Sequence, residues 1–348
     1  MSSNRFTKLL LLALSTIFLS VASPENSIQA QIIQLDFSGI NIVGEGEEEG
    51  ANGLSLINAL RYVEAVEQGK AFWDARILGY SNKLPRDVQS QLLGSLTILV
   101  GNDALGDPDA VDVLGEAGLV NMSFINIVRG TTFDLRPVAV GQVAVFTLDN
   151  DFIINNPTSE LVDVAIHEFA HALGLGTLWG ANGLVSTGSI GPLQYTGVNA
   201  RAAFAIESGV AGLAQTGFVP IEQQGGPGTA LSHWDDNDPF FNSIALNNRI
   251  ELMTGFLVPN TERFVSRTTL AQFVDLNYAV KGFNEDELIQ FPGLGEPSLG
   301  IPSFGRSGPI PGPLPIPGST LPIPDDGAAT GGTNQPRRTL NIYKRRRR

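Results

Sequence analysis

The chain contains no cysteine among its 348 residues. Disulfide staples, a thiol nucleophile and any thiolate-ligated zinc or iron–sulfur site are thereby excluded. Histidine and methionine are nearly as scarce, at three residues each. Any imidazole chemistry must therefore be built from His167, His171 and His233. Long apolar runs are rare too. The exception is Leu9–Ala22, fourteen residues behind the basic Arg5 and Lys8, too short to span a bilayer comfortably but suited to the core of an export signal. A signal peptide is expected over residues 1–30, with cleavage after Ala30. No later segment has transmembrane character, so the expected location is secreted, periplasmic or cell-surface.

Basic residues are scarce in the body of the chain. The net charge of −13 conceals a split, because seven of the 22 Lys and Arg stand among the last twelve residues, at Arg337, Arg338 and Lys344–Arg348. Residues 31–336 keep 13 basic against 34 acidic side chains. A body that acidic is not expected to bind nucleic acid or an anionic membrane. The basic terminus reads as a solvated tail, with contact to polyanions as the sharper alternative. Hydrophobic residues at 43% and charged residues at 16% suit a globular core. Residues 292–336 change character, with 11 Pro and 10 Gly among 45, the composition of an extended linker.

Coarse periodicity places the elements. Ile32–Val43, Leu96–Val100 and Val138–Leu148 read as strands. Leu54–Ile77 carries an amphipathic pattern for a backing helix, interrupted at Gly69. A second helix opens near Ser159, its expected N-cap, and stops at Gly174 and Gly176. Further helices are expected at Asn199–Glu207 and at Thr268–Tyr278, the latter capped by Ser266 or Thr268.

Inside the second helix lies His167-Glu168-Phe169-Ala170-His171, an HExxH pattern. Histidines four apart stand on one helix face, so both rings can reach one metal ion. Glu168 sits beside them, placed to take a proton from a water. A catalytic zinc needs a third protein ligand and one open position. Gly174 falls where HExxHxxGxxH proteins turn sharply towards a third histidine, but that position here is Thr177. The remaining histidine is His233, with Glu222 and Glu207 as rival third ligands. Asp235, Asp236 and Asp238 read as a solvated acidic loop, since they lack the full ligand series of a calcium-binding EF-hand.

Three stretches, His167–Trp179 (HEFAHALGLGTLW), Pro220–Trp234 (PIEQQGGPGTALSHW) and Glu251-Leu252-Met253, together resemble the leishmanolysin family of zinc metallopeptidases, most of all its shorter bacterial members. Phe264–Tyr278 is similar to that family's C-terminal helix. The resemblance implies a metzincin in which an insertion separates the motif glycine from the third ligand, and it makes Val138–Leu148 a candidate edge for pairing with an extended substrate, with a plain structural strand as the alternative. His167, His171 and His233 would then hold one Zn2+ per chain, Glu168 would be the general base, and Met253 would form the methionine turn beneath the metal. The implied fold is α+β: a twisted mixed β-sheet with backing and active-site helices above the cleft, over a smaller irregular lower subdomain. On that pattern, residues 31–179 form the upper subdomain, 180–290 the lower one, and 291–348 a disordered tail. Without cysteine the thiol latency of eukaryotic relatives is excluded. The tyrosine that some metzincins place two residues after the methionine is replaced by Gly255. The expected function is a secreted zinc endopeptidase acting on peptides or proteins. The alternative is a non-catalytic exported surface-binding protein that retains a zinc-stabilised fold.

Overall fold

The apolar runs of the first half assemble one sheet. The computed structural model describes residues 32–44, 46–50, 52–81, 84, 92, 96–105, 114–128, 135–186, 192–209, 218–225, 228–258, 261–283 and 338–339. The expected signal peptide and, apart from residues 338–339, the expected tail lie outside them. The elements of the first half are β1 (Ile33–Gly39), α1 (Leu56–Asp74), β2 (Ile77–Tyr80), β3 (Leu96–Asp103), β4 (Gly115–Val128) and β5 (Leu135–Asp149). Two helices follow, α2 (Asn150–Asn155) and α3 (Thr158–Ala172). The sheet runs β1-β3-β5-β4, with β1, β3 and β5 parallel and β4 antiparallel to β5. Along β3, Leu96, Ile98, Val100 and Asn102 are buried while the residues between them are less so, the period of two that one covered face demands. The architecture is thus α+β with a mixed sheet.

Three local expectations are corrected. Val138–Leu148 belongs to β5, which is an inner strand; the edge is β4. Gly69 does not interrupt α1, which runs unbroken from Leu56 to Asp74. The glycine is instead a contact point, since a Cβ there would stand 2.9 Å from the Ala165 Cβ of α3. Just beyond it, Trp73 donates its ring N–H to the Ile166 carbonyl at 2.9 Å. The two helices therefore cross backbone to backbone, and α1 backs α3 as its sequence pattern suggested. Ser159 does not cap α3: the cap position is Pro157, whose fixed φ suits a helix start and whose missing N–H leaves nothing to satisfy.

The second half is held by small elements: β6 (Val185–Ser186), β7 (Gln194–Tyr195), α4 (Val198–Glu207), β8 (Val219–Pro220), α5 (Ile244–Asn247), β9 (Arg249–Glu251), β10 (Phe256–Leu257), β11 (Glu262–Phe264), α6 (Arg267–Asp275) and β12 (Tyr278–Val280). Arg338–Thr339, β13, pairs antiparallel with β10. The last helix stops at Asp275 and Tyr278 starts β12, which pairs with β2. Ser266 is its N-cap, the hydroxyl accepting from Thr269 N–H at 3.0 Å.

Although its composition is polar, α6 is largely buried, and its polar side chains are used. Thr269, Gln272 and Asp275, three residues apart, accept from Trp234 Nε1 at 2.7 Å, Trp179 Nε1 at 3.0 Å and Tyr195 OH at 3.1 Å. The three donors belong to one aromatic cluster, with Trp179 and Trp234 ring centroids 4.9 Å apart. Helices α4 and α6 also cap one another. Glu207, ending α4, accepts from the amides of Arg267 and Thr268 at 3.0 and 2.9 Å. Asp275, ending α6, accepts from the amides of Asn199 and Ala200 at 2.9 and 3.0 Å. Each acid is poorly placed on its own helix dipole and well placed on its neighbour's.

Candidate metal centre

Helix α3 leaves the cleft side of the sheet carrying His167 and His171 one turn apart, and Gly174 ends it. That glycine has φ +119°, and a Cβ would strike Leu178 at 2.8 Å and Leu276 at 3.0 Å, so the sharp departure of the chain requires glycine here. The chain returns to the same place after β8. A loop from Glu222 folds back so that Glu222 N–H donates to the His233 carbonyl at 2.9 Å, and His233 arrives fully buried opposite the helix.

The three Nε2 atoms of His167, His171 and His233 stand 3.0 Å from one another. Their Nδ1 atoms are each engaged by a backbone carbonyl: Leu252 O at 2.6 Å, Leu175 O at 2.9 Å and Thr229 O at 2.9 Å, respectively. A carbonyl only accepts, so each Nδ1 carries the hydrogen and each Nε2 presents a lone pair. Burial, first of all, holds the rings neutral, lowering His167 and His171 well below the usual imidazole range and His233 to about 4. Three buried lone pairs aimed at one point repel unless a cation lies between them. A tetrahedral ion with nitrogens at about 2.0–2.1 Å spaces its donors about 3.3–3.4 Å apart, so the triangle needs to open by only a few tenths of an ångström. The residues present fit a metal ion held by three imidazoles.

Glu168 is fully buried, and neither carboxylate oxygen has a hydrogen-bond partner among the described residues. Burial and then the charge of Glu116 raise its pKa well above the usual carboxylate range. The Ala117 amide is near enough to oppose that shift but outside hydrogen-bonding geometry. Both neighbours lie on the edge strand β4, and a Cβ on Gly115 would stand 3.5 Å from Glu168 Oε1. The carboxylate thus faces the sheet edge on one side. A buried carboxylate without donors is costly unless water, metal or substrate completes it.

The methionine turn adjoins the centre. Leu252 supplies the carbonyl to His167, and the buried Met253 accepts from Trp234 N–H at 3.0 Å. At Gly255 a side chain would clash, its Cβ 2.2 Å from Thr229 Cγ2, so no tyrosine could stand there without moving the His233 loop. The rival ligands are engaged elsewhere. Glu207 caps α6, and Glu222 accepts from Gln224 N–H at 2.6 Å. Of the acidic loop, Asp235 and Asp238 accept from nearby loop amides, whereas Asp236 is buried. Carboxylate oxygens of Glu222, Asp235 and Asp236 lie within 4.8 Å of one another. Reading the sequence missed the edge strand and the buried carboxylate of Glu251, which accepts from Ser266 N–H at 2.9 Å. Only its place before Leu252-Met253 singled Glu251 out.

A histidine pair one turn apart on a helix, a third imidazole from a distant loop and a glutamate with no partner among the described residues form a centre that could hold a metal ion. Residues 126–294 match the sequence model of the leishmanolysin peptidase family. The match spans the whole centre apart from the edge strand's Gly115–Ala117 and supports a leishmanolysin-family metallopeptidase. Comparison with curated proteins finds no match.

Proposed function

We propose that the protein is an exported zinc endopeptidase with His167, His171 and His233 as metal ligands and Glu168 as general base. The match of residues 126–294 to the leishmanolysin peptidase family supports the reaction class. The observation that carries the residue assignment is the convergence of three Nε2 lone pairs at 3.0 Å beside a carboxylate with no hydrogen-bond partner among the described residues. A zinc ion held there would polarise the scissile carbonyl and make a water acidic near neutral pH.

The chain's own residues do the rest. Glu168 accepts the proton of the attacking water and passes it to the leaving amine. Its full burial against the edge strand keeps bulk water from taking the proton instead. Strand β4, the outer strand of the sheet among the described residues, offers its edge to an extended peptide, with main-chain hydrogen bonds setting the substrate's direction past Glu168. The basic and apolar residues at 1–22 support export.

Digestion of casein by full-length protein, with and without a zinc chelator, tests the reading alongside Glu168→Ala. Chelator-sensitive digestion that disappears in the variant, with about one zinc per chain still bound, is the expected result. Hydrolysis by the variant at the wild-type rate would reject Glu168 as base. A wild-type protein that binds zinc but digests nothing would favour the surface-binding alternative.

A further inference from the structure

We propose that Glu251 is a positioning residue of the metal centre. Through the Met253 amide and the Thr269 hydroxyl, its buried carboxylate fixes the groups that aim His167 and His233. The inference rests on the metal site proposed above.

Glu251 ends β9 and is completely buried. Its two oxygens divide their partners between two elements. Oε1 accepts from the N-terminus of α6: Ser266 N–H at 2.9 Å, Ser266 O–H at 3.1 Å and Thr269 O–H at 2.6 Å. Oε2 accepts from the Met253 amide inside the methionine turn. Every partner is a donor, and the helix N-terminus favours an anion at this place. The carboxylate is therefore a bridge that holds the turn at a set distance from the helix.

Two routes run from that bridge to the imidazoles. In the first, the pinned turn sets the Leu252 carbonyl 2.6 Å from His167 Nδ1. That contact fixes the tautomer and ring angle that turn Nε2 inward. In the second, Thr269 gives its hydrogen to Glu251 and accepts the ring N–H of Trp234 at 2.7 Å. Trp234 follows His233 directly, and its backbone N–H donates to the Met253 carbonyl at 3.0 Å. Both groups that flank the centre on the lower side are thus referred to one carboxylate. The hydrogen-bond partners of Glu251 include no histidine, so its influence passes through the turn and through Thr269.

Glu251→Gln keeps the size of the side chain but not its acceptor pair. If the amide oxygen stays with the α6 donors, its NH2 faces the Met253 N–H, two donors head to head, and the turn must shift. Thr269→Val cuts the second route and leaves the Trp234 ring N–H buried without an acceptor, whereas Thr269→Ser restores the hydroxyl. Glu207→Gln is the control, because Glu207 caps the same helix at Arg267 and Thr268 and does not contact the turn.

The test is zinc affinity of the full-length proteins by competition with a chromophoric chelator, with the visible spectrum of the cobalt-loaded forms as a second readout. Glu251→Gln and Thr269→Val should weaken zinc binding about 10–100-fold and change the cobalt spectrum. Thr269→Ser should match wild type. Glu207→Gln should lower the melting temperature and leave zinc affinity unchanged. Wild-type affinity and spectrum in both Glu251→Gln and Thr269→Val would overturn the proposal, as would an equal loss in Glu207→Gln. If Glu251→Gln does not fold, the contrast between Thr269→Val and Thr269→Ser decides on the same criterion. A wild-type protein that binds no zinc would overturn the metal-site reading together with this inference.

Discussion

Replacing Gly69 with Ala should destabilise the protein, and the sign of the effect separates two views of this residue. If Gly69 merely weakened α1, alanine would stabilise the helix by about 0.8–1.0 kcal/mol through propensity alone. The structure argues the reverse. A Cβ at this position lies 2.9 Å from Ala165 Cβ and 3.2 Å from the Ala165 carbonyl carbon. Carbon atoms prefer about 3.5–4.0 Å, so the helices must part by up to an ångström. Overpacking of this kind costs about 1–3 kcal/mol, which cancels the propensity gain at its lower end and leaves a net loss of up to about 2 kcal/mol at its upper end. For a folded part of this size that lowers the melting temperature by up to about 8 °C. Ala165 lies two residues before His167, so zinc affinity should fall as well. The assay is thermal unfolding of metal-loaded and metal-free protein followed by circular dichroism. A higher melting temperature for Gly69→Ala in both states would refute the close crossing of α1 and α3.

Asp275→Ala should cost about 3 kcal/mol in a denaturant titration, since it strips the α4 N-terminus of its acceptor and leaves buried donors behind; a loss below about 1 kcal/mol would contradict the mutual capping. Stability should also carry a pH signature of Glu251, whose pKa burial raises from 4.5 to about 7 against its four hydrogen bonds. A carboxyl with a raised folded pKa binds more protons folded than unfolded, so its contribution is largest below pH 4.5 and is lost as pH rises towards 7. The melting-temperature advantage of wild type over Glu251→Gln should therefore shrink across that window, by an equivalent of about 3 kcal/mol. An advantage that stays constant or grows would rule out the raised pKa.

Local signals in the sequence served the site better than they served the fold around it. The HExxH spacing is a property of one helix, and Gly174 marks its end through a single backbone angle, so both could be read without tertiary information. Ser266 was legible as a cap for the same reason. His233 lies 62 residues beyond His171, and only family resemblance singled it out against Glu222 and Glu207. The carboxylates at 207 and 275 look like solvated acids in the sequence because their partners lie 60 and 76 residues away. Gly69 was misread because a helix-weakening residue and a helix-crossing residue look alike until the second helix is placed. Strand β4 escaped notice because Gly115, Gly118, Asn121 and Ser123 break its apolar alternation, as suits an edge with one exposed face. The inner strand β5, apolar almost throughout, drew the substrate-edge assignment instead.

X-ray absorption at the zinc edge of the loaded full-length protein tests the ligand set most directly. Three imidazole nitrogens at about 2.0–2.1 Å, with one further light atom completing four-coordination, is the expected result. Two imidazoles, or a protein carboxylate in place of His233, would contradict it.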